Sequence, residues 1–260
     1  MNFKIAISTC PNDIFIFYAI IEKKIPLKYN FDFSFFDIQE LNKLSERGDY
    51  DIIKISAVKF LQIKDKYTIL SSGGAFSEKI GPIIVAKKNF NLEEIKNKSV
   101  GIPGENTTAN YLFDYFIKQP VKKVFMRFDK IIPSLLEGKI DLGVLIHEGR
   151  FVYNNYKLNL IIDLGELWWE KFKLPLPLGI IVLKKGVEKY KSDIEEIIKS
   201  SIQFGWKNFN KFNDFIKKYS QENDDAIIEK HIKTYVNKYS YDFGNMGEKA
   251  LERLLNFEER

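Results

Sequence analysis

The stretch GKIDLGVLIHEGRF, residues 138–151, holds an apolar run from Leu142 to Ile146 in which Gly143 alone has no side chain to pack. A run this short, bounded by Gly138 and Gly149, predicts a strand buried on both faces of a parallel sheet. It stops at His147-Glu148-Gly149-Arg150, four polar or small residues in a row. In open α/β sheets ligands bind beyond the carboxyl ends of the strands, so polar groups at such an end can face a cleft. His147 is one of only two histidines. An imidazole, with an unperturbed pKa of ~6.5, is the commonest general acid or base near neutral pH. The same residues would also suit a satisfied strand-end histidine beside a surface Glu148–Arg150 pair. The rest of the chain tips the balance towards chemistry.

The 260 residues suffice for one large domain or two of ordinary size, and 45% hydrophobic content supplies a sizeable core. Forty basic and 35 acidic residues leave a formal charge of +5. The lysines are interleaved with acids such as Glu93-Glu94 and Glu195-Glu196 rather than gathered in a stripe with aromatics. No nucleic-acid partner is expected from that pattern, while the mild positive balance favours a small anionic molecule. Cys10 is the sole cysteine, which excludes an intrachain disulfide or a multi-cysteine zinc site and suits a reducing compartment. The first residues enter a strand at once, and no apolar run reaches the ~18 residues of a membrane span. A cytoplasmic protein with no membrane partner is expected.

Taken in order, Phe3–Ser8 reads as a strand and STCPND (8–13) as its exit, with Pro11 in the first turn of a helix and Thr9 or Cys10 near its cap. Such a strand, polar turn and helix start can receive a carboxylate on free N–H groups, or be an ordinary βα turn. Phe31–Phe36 is a second strand; Asp37 with Glu40 has capping-box spacing, and Gly48 suits the helix end. Asp51–Ser56 (DIIKIS) is a third strand, in which Lys54 marks either a sheet edge or a ligand. Strands are also expected over residues 68–70 and 81–86, at Ser99–Ile102, and over 121–127. PGENTTA (103–109) opens a helix running to about Lys118, its hydroxyls either holding a carboxylate or acting as plain caps. Asp129 is expected to cap a helix over Ile131–Leu136. A strand near Asn159–Ile162, the segment DLGELWWEKFK (163–173), a rigid connector LPLPLG (174–179) and a strand Ile180–Leu183 follow. Helices, with Ser192 and Glu195 at one cap, fill the rest to about Glu259. Alternating β and α elements indicate an α/β protein, in two lobes.

STCPND (8–13), DIIKIS (51–56), PGENTTA (103–109), IHEGRF (146–151), DLGELWWE (163–170) and LPLPLG (174–179), in this order, resemble the 1,4-dihydroxy-6-naphthoate synthase family. Those enzymes cleave cyclic dehypoxanthinylfutalosine on the futalosine route to menaquinone. The likeness spans residues 8–183; IHEGR with the tryptophan and proline segments downstream is its specific part. Ile55 and Ile14 depart from it, standing where valine and threonine are expected. The resemblance implies a type II periplasmic-binding-protein-like fold, two α/β lobes with a cleft between them. Residues 1–88 and 184–260 would form lobe 1 and residues 89–183 lobe 2, with crossovers near 86–90 and 178–185. It implies a lyase reaction yielding 1,4-dihydroxy-6-naphthoate and dihydroxyacetone with no metal or organic cofactor. His147 matches the proton acceptor, and Lys54-Ile55-Ser56 and Thr107-Thr108 match the substrate-contacting segments. Ser56, Thr107 and His147 are expected to approach a common cleft.

Two alternatives share the fold: a chorismate dehydratase-like enzyme, and a non-enzymatic solute-binding protein for a small carboxylate. The HEGR segment speaks against the first, and the absence of an apolar leader or a cysteine following one speaks against the second. A serine-hydrolase reading fails for want of GxSxG, and a metal reading because His147 and His231 are too far apart in sequence for ligand spacing. His231, in a helical stretch remote from every motif, is expected to pack or to lie at the surface. The sequence leaves the oligomeric state and the roles of Glu148 and Arg150 open.

Overall fold

The structure, a computed structural model, describes residues 1–209, 212–220 and 222–256. The chain divides into two compact units, Met1–Phe76 with Pro177–Arg260, and Ser77–Leu176. Strands β1 (Asn2–Ser8), β2 (Asn30–Phe36), β3 (Ile52–Ser56), β4 (Tyr67–Ile69) and β5 (Ala75–Ser77) come first. β6 (Ile83–Ala86), β7 (Ser99–Ile102), β8 (Lys122–Phe125), β9 (Leu142–Leu145) and β10 (Asn159–Asp163) follow, and β11 (Leu176–Lys184) comes last.

In the first unit the sheet order is β2-β1-β3-β11-β4, and β5 also pairs with β11. β1 runs parallel to β2 and β3, whereas β11 is antiparallel to β3 and β4. The helix Pro11–Ile21 has nine of its eleven residues buried. Beyond Asn12 and Asp13 in its first turn it is apolar on most sides, as a helix covered from several directions is. Its Phe15, Ile16 and Ile20 join Phe3, Ile5 and Ile7 of β1 and Ile194, Ile198 and Ile202 of the helix Lys191–Lys207 in one core. Gly205 of that helix lets the Phe15 ring approach; a Cβ there would lie 2.8 Å from it.

In the second unit the order is β10-β6-β9-β7-β8. β9 is buried throughout, but its sheet is mixed, not parallel: β7 pairs with it parallel and β6 antiparallel. Its core comprises Ile83, Val85, Ile131, Leu135, Ile140, Leu145 and Leu158. Gly143 has a packing reason, since a Cβ there would meet Ile131 Cγ2 at 2.4 Å.

Several local expectations change in the tertiary context. The expected lobe boundary at residue 88 moves to Phe76, because β6 is hydrogen-bonded between β9 and β10 in the second sheet. The return moves from residue 184 to Pro177, because β11 already includes most of the proline segment expected to be a connector. Pro177 fits there because proline is tolerated near the start of a strand. Asp129 does not cap the helix Ile131–Leu136; Lys130 holds that position and Asp129 is paired with Arg127 at 2.6 Å. Ser192 is likewise inside its helix, and Glu195 accepts from the backbone N–H of Ser71 instead. The last residues of the expected terminal helix, 257–259, lie outside the described residues. Among those described, no helix is long and apolar enough to cross a membrane.

Candidate functional site

Two polar edges carry the candidate residues, one in each unit. In the first, β1 and β3 are parallel neighbours, so Ser8 and Ser56 end at the same edge of the sheet. The chain turns there through Cys10 into the helix Pro11–Ile21, with proline in the first turn as its missing N–H dictates. That turn delivers Asp13, 1% exposed, to the sheet edge. The Asp13 carboxylate accepts from Ser8 Oγ at 2.6 Å, from Asn12 Nδ2 at 2.8 Å and from Lys54 Nζ at 2.8 Å.

Lys54 is therefore not on an edge strand, nor is it directed to solvent. β3 lies between β1 and β11, and the ammonium of Lys54 also donates to the carbonyl of Gly73 at 3.3 Å. The side chains of the pair are 4% and 1% exposed, so removing either partner would strand a buried charge at a cost of about 3–5 kcal/mol. Gly179, opposite Ser56 on β11, leaves room for the lysine stem: a Cβ there would lie 2.9 Å from Lys54 Cε. Ser56 is held by Asn42, which accepts from its backbone N–H at 2.9 Å and donates to its Oγ at 3.0 Å. As the acceptor in its bond with Asn42, that hydroxyl also carries one proton of its own. The Ile55 side chain is fully buried, and its main chain lies in the ladder between β3 and β11, opposite Ile180.

In the second unit, β7 and β9 are parallel neighbours, and the exits of both lie at one sheet edge. After β7, Thr107 caps the helix Thr108–Phe116: its Oγ1 donates to the carbonyl of Gly104 at 2.8 Å and accepts from Asn110 N–H at 3.2 Å. Thr107 is thus the cap of this helix; Thr108 follows it in the first turn, and both are 3% exposed. After β9, His147 takes φ +50°. That left-handed conformation is uncommon outside glycine, and it redirects the chain two residues after the buried strand ends. The His147 ring meets Phe128 edge to face, centroids 4.9 Å apart.

Arg150 does not depend on Glu148 for its ion pair. Its guanidinium donates to the carbonyl of Gly81 and to Asp163 Oδ2, the latter at 2.9 Å. Asp163 Oδ1 in turn accepts from the N–H groups of Gly81 and Gly165 at 2.9 and 2.8 Å. Because β6 is antiparallel to β9 and β10 to β6, Gly81 and Asp163 come to the same edge as His147. The closed ring of bonds pins the segment that follows His147. Gly165 is required for it, since a Cβ would come within 2.2 Å of the Ile80 carbonyl carbon.

The structure thus gathers Lys54 and Ser56 at one edge of the first sheet and Thr107, Thr108 and His147 at one edge of the second. Sequence reasoning missed Asn42, Asp163 and the role of Asp13. His231 packs, as one of its two expected roles had it, and is 1% exposed, but it is not remote from the motifs: its Nε2 is bonded to Asn12 Oδ1 at 2.9 Å. Asn12 and Asp13 lie inside STCPND (8–13), but their partners are set by packing. Among the described residues no group of three or more His, Cys, Asp or Glu side chains is arranged to hold a metal ion.

Two sheets with polar groups at their strand ends, in an interrupted first unit and a continuous second, define a type II periplasmic-binding-protein-like α/β protein. Solved binding proteins share that fold. The ligand-binding component of an ABC-type import system from Staphylococcus aureus superposes with a TM-score of 0.72 at 12% identity, covering 100% of this chain and 92% of its own. The alkanesulfonate-binding protein of Xanthomonas axonopodis gives 0.69 at 10%, covering 90% and 84%. The family model described as menaquinone biosynthesis matches residues 3–260, and the chain belongs to that family. It is 34% identical to a 1,4-dihydroxy-6-naphthoate synthase of Thermus thermophilus over 252 residues, covering 96% of this chain and 92% of the relative. The synthase of Streptomyces coelicolor is 32% identical over 258 residues, covering 97% and 91%. A crystal structure from Archaeoglobus fulgidus, 31% identical, superposes with a TM-score of 0.94 over 99% of this chain and 97% of that one.

Proposed function

We propose that this chain is a carbon–carbon lyase of menaquinone biosynthesis. It converts cyclic dehypoxanthinylfutalosine to 1,4-dihydroxy-6-naphthoate and dihydroxyacetone, with His147 as general base. Lys54, Ile55 and Ser56 of the first unit and Thr107 and Thr108 of the second are its substrate contacts. The observation that carries the reading is His147 itself. An imidazole sits in a left-handed turn two residues past the end of a fully buried strand, at the sheet edge that also bears Thr107 and Thr108. A conformation that costs of order 1–3 kcal/mol persists where its surroundings impose it, and such positions cluster at functional sites.

The chemistry asks for three things. A base takes a proton from the substrate, the freed electron pair breaks the carbon–carbon bond as the ring becomes aromatic, and the leaving fragment takes up a proton. Charge that develops on oxygen is met by hydroxyl or N–H donors. Ser56, whose Oγ accepts from Asn42, keeps a proton to donate. That both the Thermus thermophilus and the Streptomyces coelicolor relatives are 1,4-dihydroxy-6-naphthoate synthases favours this reaction over a dehydration of chorismate.

The test is incubation of purified protein with cyclic dehypoxanthinylfutalosine, following naphthoate formation. His147→Asn is the informative variant, because asparagine tolerates the left-handed conformation but cannot serve as the base. Turnover is expected to fall by roughly 10²–10⁴-fold, the usual contribution of general-base catalysis, with binding much less affected. Near-normal turnover in this variant would leave His147 a positioning residue. Binding without turnover in the wild type would favour the solute-binding alternative.

A further inference from the structure

We propose that His231 is a positioning residue for Lys54, acting through Asn12 and Asp13; this rests on the reading of Lys54 as a substrate contact. His231 lies on the helix Asp225–Tyr235, between buried Ile228 and Ile232, and its bond to Asn12 spans 219 residues of sequence. The direction of each bond in the chain is fixed. Asp13, salt-bridged to Lys54, presents acceptors only, so Asn12 must turn its Nδ2 to Asp13 and its Oδ1 to His231. His231 Nε2 is then the donor. Its proton holds the Asn12 amide, the amide holds Asp13 Oδ1, and that same oxygen receives Lys54 Nζ.

Lysine is a point charge on a long flexible stem, so a fixed counter-ion decides where its ammonium stands. The carboxylate of Asp13 is gripped on both oxygens, by Ser8 at Oδ2 and by Asn12 at Oδ1. Loss of the histidine donor frees the Asn12 amide, and with it one of the two grips on Asp13. A packing role alone would be served as well by an apolar ring, because the neighbours on this helix are core residues.

The experiment compares His231→Phe and His231→Gln in the full-length protein. Phenylalanine keeps ring bulk without the donor; glutamine restores an N–H. In His231→Phe, KM for cyclic dehypoxanthinylfutalosine is expected to rise about tenfold, the loss of one ordinary hydrogen bond, with kcat changed less than KM. Glutamine is expected to recover part of that loss. On a background of Lys54→Met, or Lys54→Arg if that variant does not fold, His231→Phe is expected to add less than twofold. Fully additive losses would overturn the proposal. A second arm needs no turnover: the Lys54 ¹³Cε–¹H resonance, assigned by Lys54→Arg, is expected to shift in His231→Phe and to move back in His231→Gln. A resonance unmoved in His231→Phe would overturn the positioning role whatever the substrate. A wild type inactive on this substrate but showing the shift would instead sink the functional reading and leave the positioning role standing.

Discussion

His147 and Gly143 stand four residues apart, and opposite constraints act on them. Gly143 is required by packing: an added methyl would overlap Ile131 Cγ2, with Leu135 Cδ1 at 3.0 Å behind it. Gly143→Ala is expected to destabilise the second unit by roughly 1–3 kcal/mol, the usual cost of overpacking a core; thermal unfolding measures it. Arg150 joins Gly81 and Asp163, so Arg150→Lys, which keeps charge but loses the planar fork, is expected to lower kcat for naphthoate formation several-fold at near-wild-type KM. A KM change alone would place Arg150 at the substrate instead. How these residues could be read beforehand follows from the reach of their contacts. His147 was legible because a short apolar run ending in polar residues is a local pattern. The partners of Arg150 and Asn12 were not, since Asp163 and His231 reach them only once the sheets have formed.

Strands and helices were legible to within a residue or two wherever apolar alternation, a capping residue and a closing glycine agreed. The helix Ile38–Arg47 shows all three signals at work. Asp37 accepts from the N–H groups of Gln39 and Glu40, and Gly48 closes the helix at φ +72°. The pattern was ambiguous where a sheet partner rather than the local sequence decides, as at Pro177 in β11 or in the mixed pairing of β9. Between β7 and β9 the register is fixed by Asp141, whose carboxylate accepts from both the N–H and the Oγ of Ser99 at 2.8 Å. The Ser99 backbone N–H first, and then its hydroxyl, hold the Asp141 carboxyl below the usual range for aspartate. A depressed folded-state pKa contributes stability above the unfolded value, ~3.9, and that contribution is lost as pH falls through the folded value. Asp141→Asn is therefore expected to be less stable than wild type at neutral pH, by about 1 kcal/mol for a solvent-exposed site. The gap should close below pH ~4. A difference independent of pH in urea unfolding would assign the bond a purely steric role.

At the scale of the molecule, each unit has its own sheet and its own core. The large cluster that unites β1 with the C-terminal helices contains only residues of the first unit, and the cluster around Ile131 and Leu145 only residues of the second. The first unit is nonetheless discontinuous in sequence: β11, from beyond the second unit, lies between β3 and β4 and presents Gly179 beside Lys54. Its polar edge is complete only when both parts of the chain have met. Local stability follows such cooperative units, and amide exchange reports it segment by segment. Asp141→Ala, which removes the β7–β9 tie, is expected to speed exchange across Ser77–Leu176 while leaving β1, β3 and the helix Pro11–Ile21 protected as before. Asp13→Asn, which breaks the buried pair with Lys54, is expected to do the reverse. If either substitution raised exchange evenly in both segments, the two cores would open as one, and the division of the chain would be one of contacts without a matching division of stability.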